Sequence, residues 1–213
     1  MKKLLFILML TIFASSTFAQ SEKYNTAMKK NVAMIDSAFQ NPDAFLNLAN
    51  TFERIGTAEK NQWLPYYYAA YTRINYGFMQ KEQSGNDEIA DKAEELVMKA
   101  DSLQPNNSEI SCLKCMIASI RLMVNPPARF MQYGPLSDKM LKMAKEQDPT
   151  NPRPYMLKGQ GLKFTPEQFG GGCKTAKPEL EKAMEKYNAF KPATDLSPDW
   201  GKTYTASMLK DCE

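Results

Sequence analysis

Residues 89–124 read IADKAEELVMKADSLQPNNSEISCLKCMIASIRLMV, and this stretch decides the fold. In its first half Ile89, Ala93, Leu96, Ala100 and Leu103 recur at steps of four and three, with Asp91, Lys92, Glu94, Glu95 and Lys99 on the remaining arc. Such spacing makes an α-helix with one buried stripe and one wet face. Gln104-Pro105-Asn106-Asn107-Ser108 then interrupts it. Proline stops the helix, and Asn107 or Ser108 can cap the next one by accepting its free amide hydrogens. In the second half Ile110, Leu113, Ile117, Ile120 and Val124 form one stripe, while Cys112, Met116, Ser119 and Met123 form another. A helix apolar on two sides is expected in an inner position.

The same grammar recurs outward from this stretch. Met140, Leu141 and Ala144 lead into Asp148-Pro149-Thr150-Asn151-Pro152, and weaker echoes stand at Ala38 to Pro42 and Ala183 to Pro198. No segment keeps the alternate-residue pattern of a strand for long, so the chain reads as all-α. The corresponding prolines, Pro42, Pro105, Pro149 and Pro198, are 63, 44 and 49 residues apart. These intervals are irregular and exceed the roughly 34 residues of a tetratricopeptide repeat, which calls for insertions between helices.

The junction Leu103-Gln104-Pro105-Asn106-Asn107-Ser108-Glu109 resembles that between successive tetratricopeptide repeats. The strings Trp63-Leu64-Pro65-Tyr66-Tyr67-Tyr68-Ala69-Ala70, Asn151-Pro152-Arg153, Phe169-Gly170-Gly171-Gly172 and Pro198-Asp199-Trp200-Gly201 resemble a group of secreted tetratricopeptide-like proteins of Bacteroidota-type bacteria. That resemblance implies a degenerate array of helical hairpins, an α-solenoid of about eight or nine helices. It carries no catalytic motif across.

Lys2 and Lys3, the apolar run from Leu4 to Phe13, and the small or polar residues ending at Thr17, Phe18 and Ala19 read as an export signal over 1–19. Removing 19 of the 213 residues leaves 194, beginning at Gln20, which suits a single helical domain over 20–213. The signal holds two of the 27 basic residues and none of the 24 acidic ones, so the remainder carries 25 positive and 24 negative side chains. This balance offers no footprint for nucleic acid or an anionic membrane. No later apolar run approaches the ~18 residues of a membrane-spanning helix, and the first cysteine, Cys112, is too distant from the signal to take a lipid. A soluble exported product, periplasmic or secreted, is expected.

The chain has no histidine. Ser-His-Asp and Cys-His constellations and every histidine metal site are therefore excluded, and no carboxylate pair announces acid–base work. Cys112 and Cys115 form a C-x-x-C pair with three readings: structural thiols, a redox dithiol or half a zinc site. A redox pair wants its first cysteine at a helix N-terminus beside a sheet, and Cys112 lies a full turn inside a helix. A zinc site wants a second knuckle, and Cys173 and Cys212 stand alone. Those two have another use: Cys173 opens the penultimate helix and Cys212 closes the chain. If the last two helices are antiparallel, the start of one lies beside the end of the other, and a Cys173–Cys212 disulfide is the natural bridge. Gly170-Gly171-Gly172 lacks the preceding strand and the spacing of a phosphate loop, and reads as a turn needing positive φ. The methionines read as gap-filling core rather than as copper ligands.

The aromatic block Trp63, Tyr66, Tyr67, Tyr68, Tyr71, Tyr76 and Phe78 falls within one helix. Trp63, Tyr67, Tyr71, Ile74 and Phe78 follow a core stripe. Tyr66, Tyr68 and Arg73 point elsewhere, so Trp63, Tyr66, Tyr68 and Arg73 are the candidate ligand groove, tyrosine being a large, rigid recognition group able to hydrogen-bond. The sequence therefore supports a non-catalytic module of the cell envelope that binds or scaffolds a protein or peptide, with no cofactor and no metal. The alternative is a small-solute-binding accessory of a transport system.

Overall fold

A computed structural model describes residues 22–213, so the signal and the expected start at Gln20 lie outside the described residues. Among the described residues the regular structure is helical throughout. A helix over 22–32 (α1) is followed by α2 (Ile35–Ala38), α3 (Pro42–Ala58), α4 (Trp63–Phe78), α5 (Asn86–Leu103), α6 (Ser108–Met123), α7 (Pro126–Gln147), α8 (Arg153–Phe164), α9 (Cys173–Ala189) and α10 (Lys202–Lys210). Single 3-10 turns stand at Gln83–Gly85 and Glu167–Phe169. Nine helices thus run from Ile35 to Lys210, an all-α array as the spacing requires.

Asparagine caps set several starts. The side chains of Asn41, Asn107 and Asn125 accept from the backbone N–H of Asp43, Glu109 and Ala128, and Pro42 and Pro126 occupy first positions where no amide hydrogen is needed. Gly170 and Gly172 have φ of 83° and 87°, the left-handed conformation expected of that turn.

Successive helices pack against one another from α2 to α10, and α4 also touches α6, as α6 touches α8. Contacts between alternate helices create two layers: α4, α6 and α8 side by side, with α3, α5, α7 and α9 behind them. The buried apolar residues form one connected cluster from Tyr24 to Met208. Met28, Met116, Met156 and Met208 are among them, in the gap-filling role expected of methionine.

Cys173 at the start of α9 and Cys212 just past α10 are disulfide-bonded, with Cα atoms 5.2 Å apart across a sequence separation of 39. Closing a loop of that length restricts the unfolded chain, so Cys212→Ser is expected to lower stability by about 2–4 kcal/mol. Urea unfolding of the wild type with and without reductant should reproduce that loss, and equal midpoints would contradict it. Cys112 and Cys115 are free and buried. Burial raises both thiols, Cys115 to about 11, and Cys115 Sγ lies 3.0 Å from Ser137 Oγ. Protonated and enclosed, they are poor nucleophiles. Iodoacetamide should label neither in the folded protein and both in urea; labelling of either in the folded protein would contradict this.

Candidate functional site

Four tyrosines of α4 are drawn into the interior because that helix is covered by α3, α5, α6 and the segment 190–201. Tyr66, expected on an open face, is 8% exposed and donates its hydroxyl to the Gly56 carbonyl of α3 at 2.8 Å. Tyr68, also expected there, is 2% exposed and stacks on Phe52. Arg73 is half-buried and donates to Asn50 Oδ1, again toward α3. Trp63 is half-buried at the helix start and meets Tyr67 edge-to-face. The exposure expected of Tyr66 and Tyr68 is therefore corrected: with neighbours on nearly every side, a single buried stripe does not describe α4. Trp63, Tyr66, Tyr68 and Arg73 do not converge on one open face.

At the N-terminal ends of the inner helices lies a buried polar cluster. Glu109 of α6 accepts from Tyr67 of α4 at 3.0 Å and, on its other oxygen, from Asn151 at 2.7 Å and Arg153 of α8 at 2.8 Å. The Arg153 side chain is wholly buried, its guanidinium packed over the rings of Phe190 and Trp200. Burial pushes the Glu109 carboxyl up, yet all three of its partners donate, as an ionised carboxylate requires. Burial also opposes the charge on Arg153, but the Glu109 carboxylate together with Tyr67, Tyr187 and Cys112 more than offsets it and holds that guanidinium above its ordinary value. Arg153 Nε has no hydrogen-bond partner among the described residues.

The segment 190–201 lies over this cluster. Tyr68 donates to the Leu196 carbonyl at 2.8 Å, Arg153 to that of Pro198 at 2.5 Å, and Tyr187 of α9 to that of Trp200 at 3.1 Å. The Trp200 ring stacks on Tyr71 with centroids 4.8 Å apart, and its Nε1 donates to Tyr67 Oη at 2.8 Å. The lower part of the tyrosine face is thus occupied by the chain itself. Sequence reasoning missed Glu109 and Arg153 because charged residues are rarely buried. Asn151-Pro152-Arg153 and Pro198-Asp199-Trp200-Gly201 stood out only as strings.

The opposite end of α8 is open. An added Cβ at Gly161 of α8 would meet nothing within 4 Å, and three residues on, Phe164 is 66% exposed. Lys158 of α8 pairs with Asp138 of α7 at 2.7 Å. Phe164 ends α8, and on the first half of α7 Phe130 and Met131 are exposed and no residue from Pro126 to Lys139 is buried. These exposed aromatic and thioether groups are candidate contacts for an apolar ligand. The surface depression along α3, by contrast, is lined by Asn47, Asn50, Glu53 and Arg54 and has no aromatic wall.

Fold and surface together define an all-helical, two-layered array with a lower face covered by its own chain and exposed aromatic groups on α7 and α8. No family model and no curated protein matches the chain. Among solved structures it is similar to the HusA haemophore from Porphyromonas gingivalis, with a TM-score of 0.80 and 39% identity, over 89% of this chain and 92% of that one. The chain belongs to the family of that haemophore.

Proposed function

We propose that this protein is an exported, non-catalytic carrier of haem or a closely related porphyrin. The observation that carries the reading is its likeness, over nearly the whole of both chains, to a protein named as a haemophore. Of the two roles open from the sequence, carriage of a small solute for uptake suits that relationship better than scaffolding. The signal over 1–19, removed after Ala19, fits a secreted or periplasmic site of action, and the tetratricopeptide-like resemblance fits a solute-binding array on a single domain over 20–213.

The chemistry agrees. A porphyrin is a flat apolar disc with carboxylates at one edge, and a protein without histidine has no imidazole to offer its iron. Any iron bond would then fall to a thioether or a phenol, and recognition of the macrocycle to apolar ring faces; Phe130, Met131 and Phe164 supply ring faces and a thioether in exposed positions. Lys158 and Lys163 of α8, now paired with Asp138 and Asp211, are cations near the same helix end for the propionates.

Haemin titration followed in the porphyrin absorption band tests the assignment. The wild type should bind saturably. Phe164→Ser combined with Phe130→Ser should weaken binding by about tenfold or more, since central aromatic contacts contribute roughly 1–2 kcal/mol each. The melting temperature should hold, because both side chains are in water. Unchanged affinity in that variant would move the porphyrin elsewhere on the chain.

A further inference from the structure

Glycine inside an α-helix weakens it relative to alanine, so each such glycine asks for a local reason. Gly159 of α8 has one. A Cβ there would stand 2.6 Å from Leu180 Cδ2 of α9, so only a bare main chain lets the two helices pack as they do. Two residues on, Gly161 has no reason of that kind. It is exposed, an added Cβ would meet no described atom within 4 Å, and its φ is not positive. A side chain is missing where the fold leaves room for one.

Gly134 of α7 shows what such a position can hold. Three atoms of the Phe130 ring lie 3.4, 3.6 and 3.6 Å from where its Cβ would stand, so an aromatic ring rests on the main chain that the glycine bares. Phe130 precedes Gly134 by four residues and Asp138 follows it by four, which puts the three on one face of α7. Asp138 pairs with Lys158 of α8. From Lys158, α8 repeats the order: Gly161 three residues on, then Phe164 three further. Both series run away from the turn over 148–152 that joins the two helices. The difference is that no ring covers Gly161. Phe164 is exposed and none of its atoms lies within 4 Å of that position.

We propose, building on the porphyrin reading, that Gly161 is the seat of the ligand's flat face. One ring of the macrocycle lies on the bared main chain of α8 as Phe130 lies on that of α7, with Phe164 beside it and Lys158 one turn back for a propionate. A β-carbon at 161 would hold the disc off the helix, so this glycine selects for a flat ligand.

Haemin titration and thermal unfolding of the full chain carrying Gly161→Ala test the seat, because the two readouts should move in opposite directions. The melting temperature should rise by about 1–3 °C, alanine being the better helix former in open space. Haemin affinity should fall at least about threefold, since a gap of about 0.5–1 Å already forfeits roughly a quarter to a half of a contact's attraction. Gly161→Val, which covers more of the main chain, should weaken binding by about tenfold or more. Unchanged affinity in both glycine variants overturns the seat, and if Phe164→Ser with Phe130→Ser loses haemin in the same experiment, the porphyrin reading stands without it. A melting temperature that falls together with affinity in Gly161→Ala assigns the glycine to the fold and also overturns the seat. A wild type that binds no haemin overturns both.

Discussion

An Arg153→Met chain is expected to lose about 3–5 kcal/mol of stability, because removing one member of a buried ion pair strands the other's charge. Here the stranded group is Glu109, which would keep only the Tyr67 hydroxyl and the Asn151 amide as partners. The loss also frees the Pro198 carbonyl and removes the cation between Phe190 and Trp200. For a domain of ordinary stability, about 5–15 kcal/mol, that is a large share. Glu109→Leu should be costly for the converse reason, as it strands a guanidinium. The double variant carries no buried charge, so it should cost less than the two single losses added together, by at least about 1 kcal/mol. Urea denaturation of the four proteins gives the cycle. Additivity within about 0.5 kcal/mol would mean that the pair does not act as a unit.

The second large effect is at alkaline pH. Burial raises the phenols of Tyr67, Tyr68, Tyr71 and Tyr187 above their ordinary value of 10.0. For Tyr67 the Glu109 carboxylate adds to the rise; for the other three Arg153 opposes it without cancelling it. A group raised in the folded state contributes stability that is fully present below its unfolded pKa and is lost as pH climbs from there toward the folded value. Each such phenol loses about 1.4 kcal/mol per pH unit above roughly 10, so four together lose more than about 5 kcal/mol per unit. The protein should unfold within little more than one or two pH units of 10, with tyrosinate absorbance appearing together with the loss of helical dichroism. Tyrosinate formation that runs ahead of unfolding would contradict this picture of sealed phenols.

What could be read from the sequence was local. Stripe spacing placed a helix over the aromatic block, and Asn107 caps α6 as its position before Ile110 suggested. The bridge between Cys173 and Cys212 followed from pairing two consecutive helices, a contact between neighbours in sequence. Proline was a less reliable stop: Pro135 and Pro178 sit inside α7 and α9. The candidate site was legible only in part because its covering comes from far away. Trp200 reaches Tyr67 across a separation of 133 residues and Leu196 reaches Tyr68 across 128. Helical periodicity does not register such contacts. Hence Tyr66 and Tyr68, which lie off the core stripe of α4 and by spacing alone belong to an open groove, are enclosed instead. Glu109 and Arg153 look like ordinary surface charges in sequence, and it is the meeting of three helix starts that buries them.

The exposed aromatic groups of α7 and α8 are where the carrier reading stands or falls. The most direct measurement is gel filtration of the protein after mixing with equimolar haemin, recording protein and porphyrin absorbance together. The account predicts that the porphyrin elutes with the protein and that chains with Phe164→Ser and Phe130→Ser release it at the small-molecule volume. Haemin that leaves the wild-type protein and elutes alone would contradict it.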